Sequence, residues 1–232
     1  TNLDFHLFKT LVDHGRVMGF TVERGEHFFF FGSRHMARED LSAFFPSYRF
    51  SFLKQVHGKA IAEAHEGVVP EADAHYTHEV GRALVIQSAD CLPLLLAGTS
   101  GVCAIHAGWR GIALNLIGAA AKSIPAFAPQ IAVLGPHIDF DSFEVDLDVC
   151  ETLLNASSHK EGLSRPGRPG KFYFDLAAMA SQQLHAAFPK TYLFANSQVD
   201  TVTSADHHSF RRDRQRAGRQ FSFVVINSAK PV

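Results

Sequence analysis

The sequence has few cysteines, almost no net charge and no long apolar run. Its three cysteines are Cys91, Cys103 and Cys150, and none forms a C-x-x-C pair, which excludes a disulfide framework. The formal net charge of -1 gives no field that attracts nucleic acid or an anionic membrane surface. No apolar run reaches the roughly 18 residues of a membrane-spanning helix, and the first residues lack a secretory-signal pattern. We therefore expect a cytoplasmic protein that binds neither nucleic acid nor membrane.

Strand-like and helix-like segments follow one another along the whole chain, without a repeat, a low-complexity tract or a linker. We predict a single domain over residues 1–232, of the α+β class, with mixed β-sheets flanked by helices in layers. The predicted strands include residues 28–31, 82–88, 102–105, 131–134 and 221–227. The predicted helices are 38–45, one continuous helix after Gly111 that Pro125 ends, 147–156, and 176–188 with Asp175 as its cap.

Two of these apolar segments are followed directly by residues of reactive or metal-binding type. Asp90 and Cys91 come after the strand at 82–88, and His106 comes after the strand at 102–105. The glycines of A-G-W-R-G, next in sequence, let the backbone approach a ligand closely. A thiol and an imidazole at two neighbouring strand ends predict a functional site.

A third candidate ligand is His57, which follows the alternating apolar residues of F-S-F-L-K-Q-V. Two imidazoles and one thiolate suit zinc at ~2.0–2.3 Å, and three protein ligands leave a fourth position for water or substrate. Water at such a position can have a pKa of roughly 7. His57, Cys91 and His106 are therefore the predicted ligands of a catalytic zinc site.

Two other interpretations use the same residues. Cys91 could be a small buried core residue, the commonest role of a free cysteine and the one expected for Cys103 and Cys150. It could also be a metal-free thiolate nucleophile with His106 as its base and an aspartate as the orienting group. Asp90 is next in sequence, but as a strand residue it would point away from Cys91. The second histidine favours the metal site.

Arginines are concentrated near the C-terminal end of the chain. The cluster comprises Arg211, Arg212, Arg214, Arg216 and Arg219. Such guanidinium groups can bind phosphate bidentately, although a solvated surface is the ordinary role of an arginine cluster. Arg110 lies in W-R-G, where a helix is predicted to begin, so phosphate near Arg110 is physically reasonable. Trp109 could stack on a base or anchor the core.

Four motifs in a fixed order resemble the laccase-domain family, formerly called multicopper polyphenol oxidases. They are Q-V-H-G at 55–58, A-D-A at 72–74, S-A-D-C-L-P at 88–93 and I-H-A-G-W-R-G at 105–111. The likeness extends over about residues 50–228 and ends with S-F-R-R and A-G-R-Q at 209–220. Asp200-Thr201 replaces the usual Cys-Thr pair of the family, and Phe210 replaces its tyrosine. The family's N-terminal motif T-R-x-G-G-V-S is not retained here, and only its arginine has a counterpart, Arg34.

The resemblance implies a zinc-dependent purine nucleoside phosphorylase that also deaminates adenosine. Its expected substrates are phosphate and adenosine, inosine or methylthioadenosine, and its expected zinc ligands are the trio already derived. The candidate phosphate and substrate contacts are Arg110, Arg211, Arg212 and Arg34. Asp73 and Asp90 are candidates for proton handling or for support of the ligands. The alternative is a copper-dependent polyphenol oxidase, since copper could occupy the site in vitro, but the chain has no H-x-H pair for a multicopper centre.

Overall fold

The computed structural model describes residues 7–124 and 126–227. The strands are β1 (Lys9–Asp13), β2 (Arg16–Arg24), β3 (His27–Gly32), β4 (Arg49–Ser51), β5 (Ile61–Glu63), β6 (Ala74–Thr77), β7 (Arg82–Ser88), β8 (Leu92–Gly98), β9 (Gly101–Ala107), β10 (Ile131–Leu134), β11 (Glu144–Asp146), β12 (Ser164–Pro166), β13 (Lys171–Phe174), β14 (Leu193–Asn196) and β15 (Gln220–Ile226). The helices are α1 (Asp40–Phe44), α2 (Trp109–Ala113), α3 (Leu116–Ser123), α4 (Leu147–Ala156), α5 (Leu176–Ala187) and α6 (Phe210–Asp213), and a 3-10 turn at Arg214–Arg216 follows α6.

Two six-stranded mixed sheets pack face to face. Sheet I has the strand order β1-β2-β3-β15-β7-β4, and sheet II has the order β14-β10-β8-β9-β6-β5. Most neighbouring strands are antiparallel, while β4–β7, β5–β6 and β10–β14 are parallel pairs. A small third sheet has the order β11-β13-β12. Mixed sheets with flanking helices confirm the predicted fold class.

The run of four phenylalanines in β3 is buried on both faces, as predicted. Phe29 and Phe31 lie in the core between the sheets together with Leu95 of β8. Phe28 and Phe30 point the other way, into a second core on the outer face of sheet I beneath α1. Alternate residues of a strand face opposite sides of its sheet. A central strand covered on both faces therefore takes an uninterrupted apolar run.

The outer face of sheet II is covered by helices, mainly α3 and α5. Cys103 and Ile105 of β9 pack there with Leu116 of α3 and Leu184 of α5. Cys103 and, in α4, Cys150 are both buried, which confirms their predicted core positions. This helical layer supports β8 and β9 from behind.

Several predicted elements agree with the structure to within two residues. β3, β7, β9, β10 and β15 match the predicted strands, α4 matches its predicted bounds, and α5 ends one residue early. The Asp175 side chain accepts a hydrogen bond from the Ala178 amide at 2.8 Å, which confirms the predicted cap of α5.

The predicted single helix after Gly111 is wrong. Asn115 has a left-handed conformation, with φ at 56°, and separates α2 from α3. Its side chain accepts a hydrogen bond from the Gly118 amide and so caps a second helix. The apolar spacing continues through the break, which is why periodicity alone missed it. Pro125, predicted to end this helix, lies outside the described residues.

Two further predictions about the site strands need correction. β7 and β9 are not neighbours in one sheet, because β7 belongs to sheet I and β9 to sheet II. The intervening L-P-L-L-L forms β8, which pairs with β9 and which was not anticipated. His57 does not end a strand, because β4 stops at Ser51 and His57 lies in the loop before β5.

Candidate metal centre

His57, Cys91 and His106 lie close together in space, although His57 and His106 are 49 positions apart in the sequence. One potential ligand atom of each lies within 4.8 Å of the other two. Cys91 lies on the short connection by which the chain leaves β7 of sheet I and enters β8 of sheet II. His106 is on β9 opposite Pro93 of β8. The trio therefore sits at one edge of the seam between the sheets, with His57 on its exposed side and His106 buried.

Asp73, fully buried before β6, holds two of the three candidate ligands. Its carboxylate accepts hydrogen bonds from the backbone amides of Val56, His57 and Gly58 at 3.2, 2.9 and 2.7 Å. It also lies 2.8 Å from Nδ1 of His106. When Nδ1 donates to Asp73, the lone pair of Nε2 is free for a ligand. One carboxylate thus shapes the His57 loop, where His57 has φ at 60°, and orients the His106 ring.

The charges of the trio support one another. Burial disfavours a thiolate, but His106 and His57 outweigh it and lower the pKa of the Cys91 thiol to about 6. Burial likewise opposes protonation of His106, but Cys91 and Asp73 raise the pKa of this imidazole to about 9. Without a bound cation, neutral pH therefore favours a thiolate beside an imidazolium. A metal ion can replace the proton between them, since both donors are most effective when deprotonated.

The donor set and the space around it fit one metal ion. Two imidazoles and a thiolate are ligands that zinc and copper both accept. Gly108 faces the trio: a Cβ atom at this position would lie 3.2 Å from Sγ of Cys91 and 3.2 Å from Cδ2 of His57. The glycine therefore leaves room on the side where the backbone passes. Within residues 7–124 and 126–227, this is the one group of three or more His, Cys, Asp or Glu side chains arranged to hold an ion.

The trio opens into a cavity of about 620 Å³. Aromatic and aliphatic side chains line one part of it, among them Trp109, Phe143 and Phe210. Phe210 is 46% exposed, so its ring is available to a ligand. The volume and the mixture of apolar walls with a few polar groups are typical of a small-molecule site.

The structure separates the predicted arginines into two groups. Arg110 and Arg211 line the cavity, as do Arg214 and Arg219. The guanidinium of Arg110 lies over the Trp109 ring, 4.6 Å from its centroid. Arg211 donates from its side chain to the carbonyl of Glu144 at 2.7 Å, which holds it at the wall. Sequence reasoning identified the cluster that includes Arg214 and Arg219 but could not tell which members face the cavity.

Arg212 and Arg34 are outside the cavity lining. Arg212 donates to four carbonyl groups of residues 201–207 and to the carboxylate of Asp213. Its role here is to tie a loop together. Arg34 donates to the carbonyl of Ala205 at 3.3 Å. Both therefore support the segment that leads to α6.

Asp90 does not occupy a strand position. It has φ at 86°, a left-handed conformation that Asp adopts more readily than most residues. One carboxylate oxygen accepts a hydrogen bond from Oγ1 of Thr201 at 2.7 Å, and the other accepts one from the backbone amide of Arg211 at 2.6 Å. Asp90 is thus joined to two distant segments rather than to the Cys91 thiol.

Asp200, next to Thr201, has a separate role. Its carboxylate accepts hydrogen bonds from the amides of Asp139 and Val202 and from the hydroxyl of Ser142. It connects the loop before β11 with the loop before α6. The aspartate at this position therefore stabilises two loops that border the cavity.

A family model described as multi-copper polyphenol oxidoreductase laccase matches residues 33–227. The chain belongs to this family. A purine nucleoside phosphorylase of Xylella fastidiosa is 36% identical over 181 residues, which cover 72% of this chain and 68% of the relative. A purine nucleoside phosphorylase of Pseudomonas aeruginosa is 35% identical over 182 residues, which cover 77% of this chain and 74% of the relative.

The fold agrees with a solved structure of the YlmD protein from Geobacillus stearothermophilus. The TM-score is 0.84 at 23% identity, over 96% of this chain and 99% of that protein. At this identity the likeness concerns the fold alone. None of the helices in the described residues is long and apolar enough to cross a membrane.

Proposed function

We propose that the protein is a zinc-dependent purine nucleoside phosphorylase that also deaminates adenosine. Its substrates are inorganic phosphate and adenosine, inosine or methylthioadenosine. The observation that carries the proposal is the convergence of His57, Cys91 and His106 at a cavity that has both aromatic walls and arginines. The two relatives named purine nucleoside phosphorylase support the reaction type. Residues 1–232 act as one domain in this proposal.

The cavity offers matching surfaces for the two substrates. Trp109, Phe143 and Phe210 suit the flat faces of a purine, and Arg110 and Arg211 suit the charge of phosphate. Holding both substrates in one cavity supplies proximity and orientation. Zinc, when bound, supplies Lewis acidity and an acidic water. His57, Cys91 and His106 are its ligands, and Asp73 fixes the orientation of His106.

The two reactions differ in the bond that breaks. In phosphorolysis an oxygen of hydrogen phosphate bonds to C1′, the C1′–N9 bond breaks, and its electron pair leaves with the purine. The proton of hydrogen phosphate ends on the purine, and ribose 1-phosphate is the other product. In deamination water adds at C6 of adenosine, and ammonia leaves to give inosine.

The test is to incubate the zinc-loaded protein with adenosine, with and without phosphate, and to separate the products by chromatography. We expect adenine and ribose 1-phosphate only when phosphate is present. Inosine should accumulate without phosphate, and with phosphate part of it should be cleaved to hypoxanthine. Cys91→Ala should abolish both reactions. Cys103→Ala is the matched control, because it removes a buried thiol outside the trio and should retain activity. An active Cys91→Ala protein would contradict the metal assignment, and phenol oxidation by copper-loaded protein without nucleoside turnover would contradict the proposed reaction.

A metal-free cysteine hydrolase is the second candidate, and one observation favours it. Asp73, His106 and Cys91 lie in the order of an orienting carboxylate, a base and a nucleophile, with Asp73 2.8 Å from Nδ1 of His106. Chelation separates the two candidates. Full hydrolytic activity after zinc removal, together with loss of activity on alkylation of Cys91, would support the hydrolase and contradict the phosphorylase.

A further inference from the structure

A buried aspartate, Asp90, connects the candidate metal ligands to the part of the cavity wall that carries Arg211. Asp90 precedes the ligand Cys91 in sequence and is 8% exposed. Its two carboxylate oxygens bind Thr201 and the backbone of Arg211, and its own carbonyl accepts a hydrogen bond from the amide of Ile138 at 2.9 Å. The residue Asp90 therefore joins the segment around Ile138 and the segment from Thr201 to Arg211.

The backbone at Asp90 is held in a conformation that a chain does not adopt by default. A non-glycine residue with positive φ costs free energy unless its surroundings fix it. The hydrogen bonds to Thr201, Arg211 and Ile138 provide that constraint. Because Cys91 is the next residue, the position of its thiol depends on the geometry of Asp90.

The same carboxylate also fixes the start of α6. Ser209 is the cap of this short helix, and its hydroxyl accepts a hydrogen bond from the amide of Arg212 at 3.1 Å. Asp90 accepts from the amide of Arg211, so the helix is anchored on the residue that precedes the thiolate. The Arg211 guanidinium is then held at the cavity wall by the carbonyl of Glu144.

Thr201 cannot reach a ligand itself, because it is fully buried. Its Oγ1 hydrogen bond to Asp90 is 2.7 Å long, and the backbone of Thr201 is tied to His137 in turn. Any effect of the Thr201 hydroxyl on ligand binding must pass through Asp90. Substitution of Thr201 therefore tests the role of Asp90 without removing a group that contacts a ligand.

We propose that Asp90, held by Thr201, is a positioning residue that fixes Cys91 and Arg211 relative to each other. Metal binding and phosphate binding therefore depend on the same hydrogen bonds of Asp90. This proposal rests on the proposed function both for the zinc ligands and for the phosphate arm. Removing the Thr201 hydroxyl should weaken both kinds of binding together. Separate, unconnected supports would let one change without the other.

The experiment compares Thr201→Val, which removes the hydroxyl at nearly constant volume, with Thr201→Ser, which retains it. Thr77→Val is the matched control, because Thr77 is also buried and its hydroxyl accepts a hydrogen bond from the Glu79 amide. Thr77 is not among the residues that line the cavity. Zinc affinity is measured by competition with a chromophoric chelator, and bound Co²⁺ is used to record the thiolate-to-metal absorption band. The KM for phosphate is measured with inosine.

In Thr201→Val we expect zinc affinity to fall about 10-fold, within the range for groups that support metal ligands, with a shifted Co²⁺ band and a several-fold higher KM for phosphate. Thr201→Ser should stay within about twofold of the wild type in all three measurements, as should Thr77→Val. Asp90→Asn tolerates the same backbone conformation but places an amide group beside one of the two donors, and should resemble Thr201→Val.

A folded Thr201→Val protein with wild-type zinc affinity and an unchanged Co²⁺ band would overturn the proposal. So would equal losses in Thr201→Ser, which would make the methyl group rather than the hydroxyl the important part. The zinc and Co²⁺ measurements need no turnover. A wild-type protein without phosphorolysis would therefore count against the proposed function, while the metal measurements would still decide the role of Asp90.

Discussion

Replacement of Asp73 by asparagine is the most direct perturbation of the candidate metal centre. Oδ1 of Asp73 accepts from the His57 amide and pairs with Nδ1 of His106, and Oδ2 accepts from the amides of Val56 and Gly58. Asparagine has nearly the same shape but replaces one of these acceptors with a donor group. Two of the four hydrogen bonds are therefore lost in either orientation of the amide.

The expected loss of stability follows from this count. Hydrogen bonds to a charged group contribute about 1.5–3 kcal/mol each, so two of them amount to roughly 3–6 kcal/mol before relaxation. For a protein of this length, each 1 kcal/mol shifts Tm by about 2–4 °C. We expect Asp73→Asn to lower the Tm of the metal-free protein by at least ~6 °C. We also expect zinc affinity to fall about 10–100-fold, because the His57 loop and the His106 ring are no longer held.

The assay is thermal unfolding of the metal-free protein by circular dichroism, together with zinc titration against a chelator. Asp175→Asn is the matched control, since asparagine is as good a cap as aspartate and the Asp175 carboxylate binds the amide of Ala178 rather than the His57 loop. The control should keep its zinc affinity within about twofold. An Asp73→Asn protein with unchanged Tm and zinc affinity would refute the assignment of Asp73 as the support of the trio.

Two further predictions concern Cys91 and Gly108. The pKa of the Cys91 thiol is lowered from 9.0 to about 6, so its reactivity in the metal-free protein should rise as pH increases through about 6. The rate of iodoacetamide labelling, followed by mass spectrometry between pH 4.5 and 9, measures this, and a midpoint near 9 would contradict the geometry. Gly108→Ala places a Cβ 3.2 Å from the Cys91 sulfur at an ordinary φ of -73°. We expect zinc affinity to fall about 10-fold with a Tm change below about 4 °C, and unchanged zinc affinity in a chelator competition would show that the space is not needed.

The three candidate ligands could be found from sequence because each is a metal-binding residue type, His or Cys, beside small residues or an apolar run. Their supports could not be found in the same way. Asp73 acts on residues 56–58 and on His106 through contacts that only the packing of two sheets creates. Thr201 meets Asp90 across 111 positions of the chain, and no local pattern marks such a pair.

Among the strands and helices, too, local features could be predicted from sequence and long-range ones could not. Elements with a strong local signal, such as β7 and α4, were predicted with their bounds, because apolar period and capping residues act within one element. The break at Asn115 depends on a single left-handed residue inside an unbroken apolar pattern. The placement of β7 and β9 in different sheets depends on long-range pairing, which the sequence of either strand does not encode.

Because Cys91 lies on the connection between the two sheets, the candidate centre spans the boundary between them. His106 belongs to sheet II, His57 lies on the loop that runs from β4 of sheet I to β5 of sheet II, and Cys91 lies between β7 and β8. An ion held by all three would link the two sheets where the chain crosses from one to the other. Metal occupancy would then depend on how closely the sheets pack, because sheets that moved apart would separate the three donors.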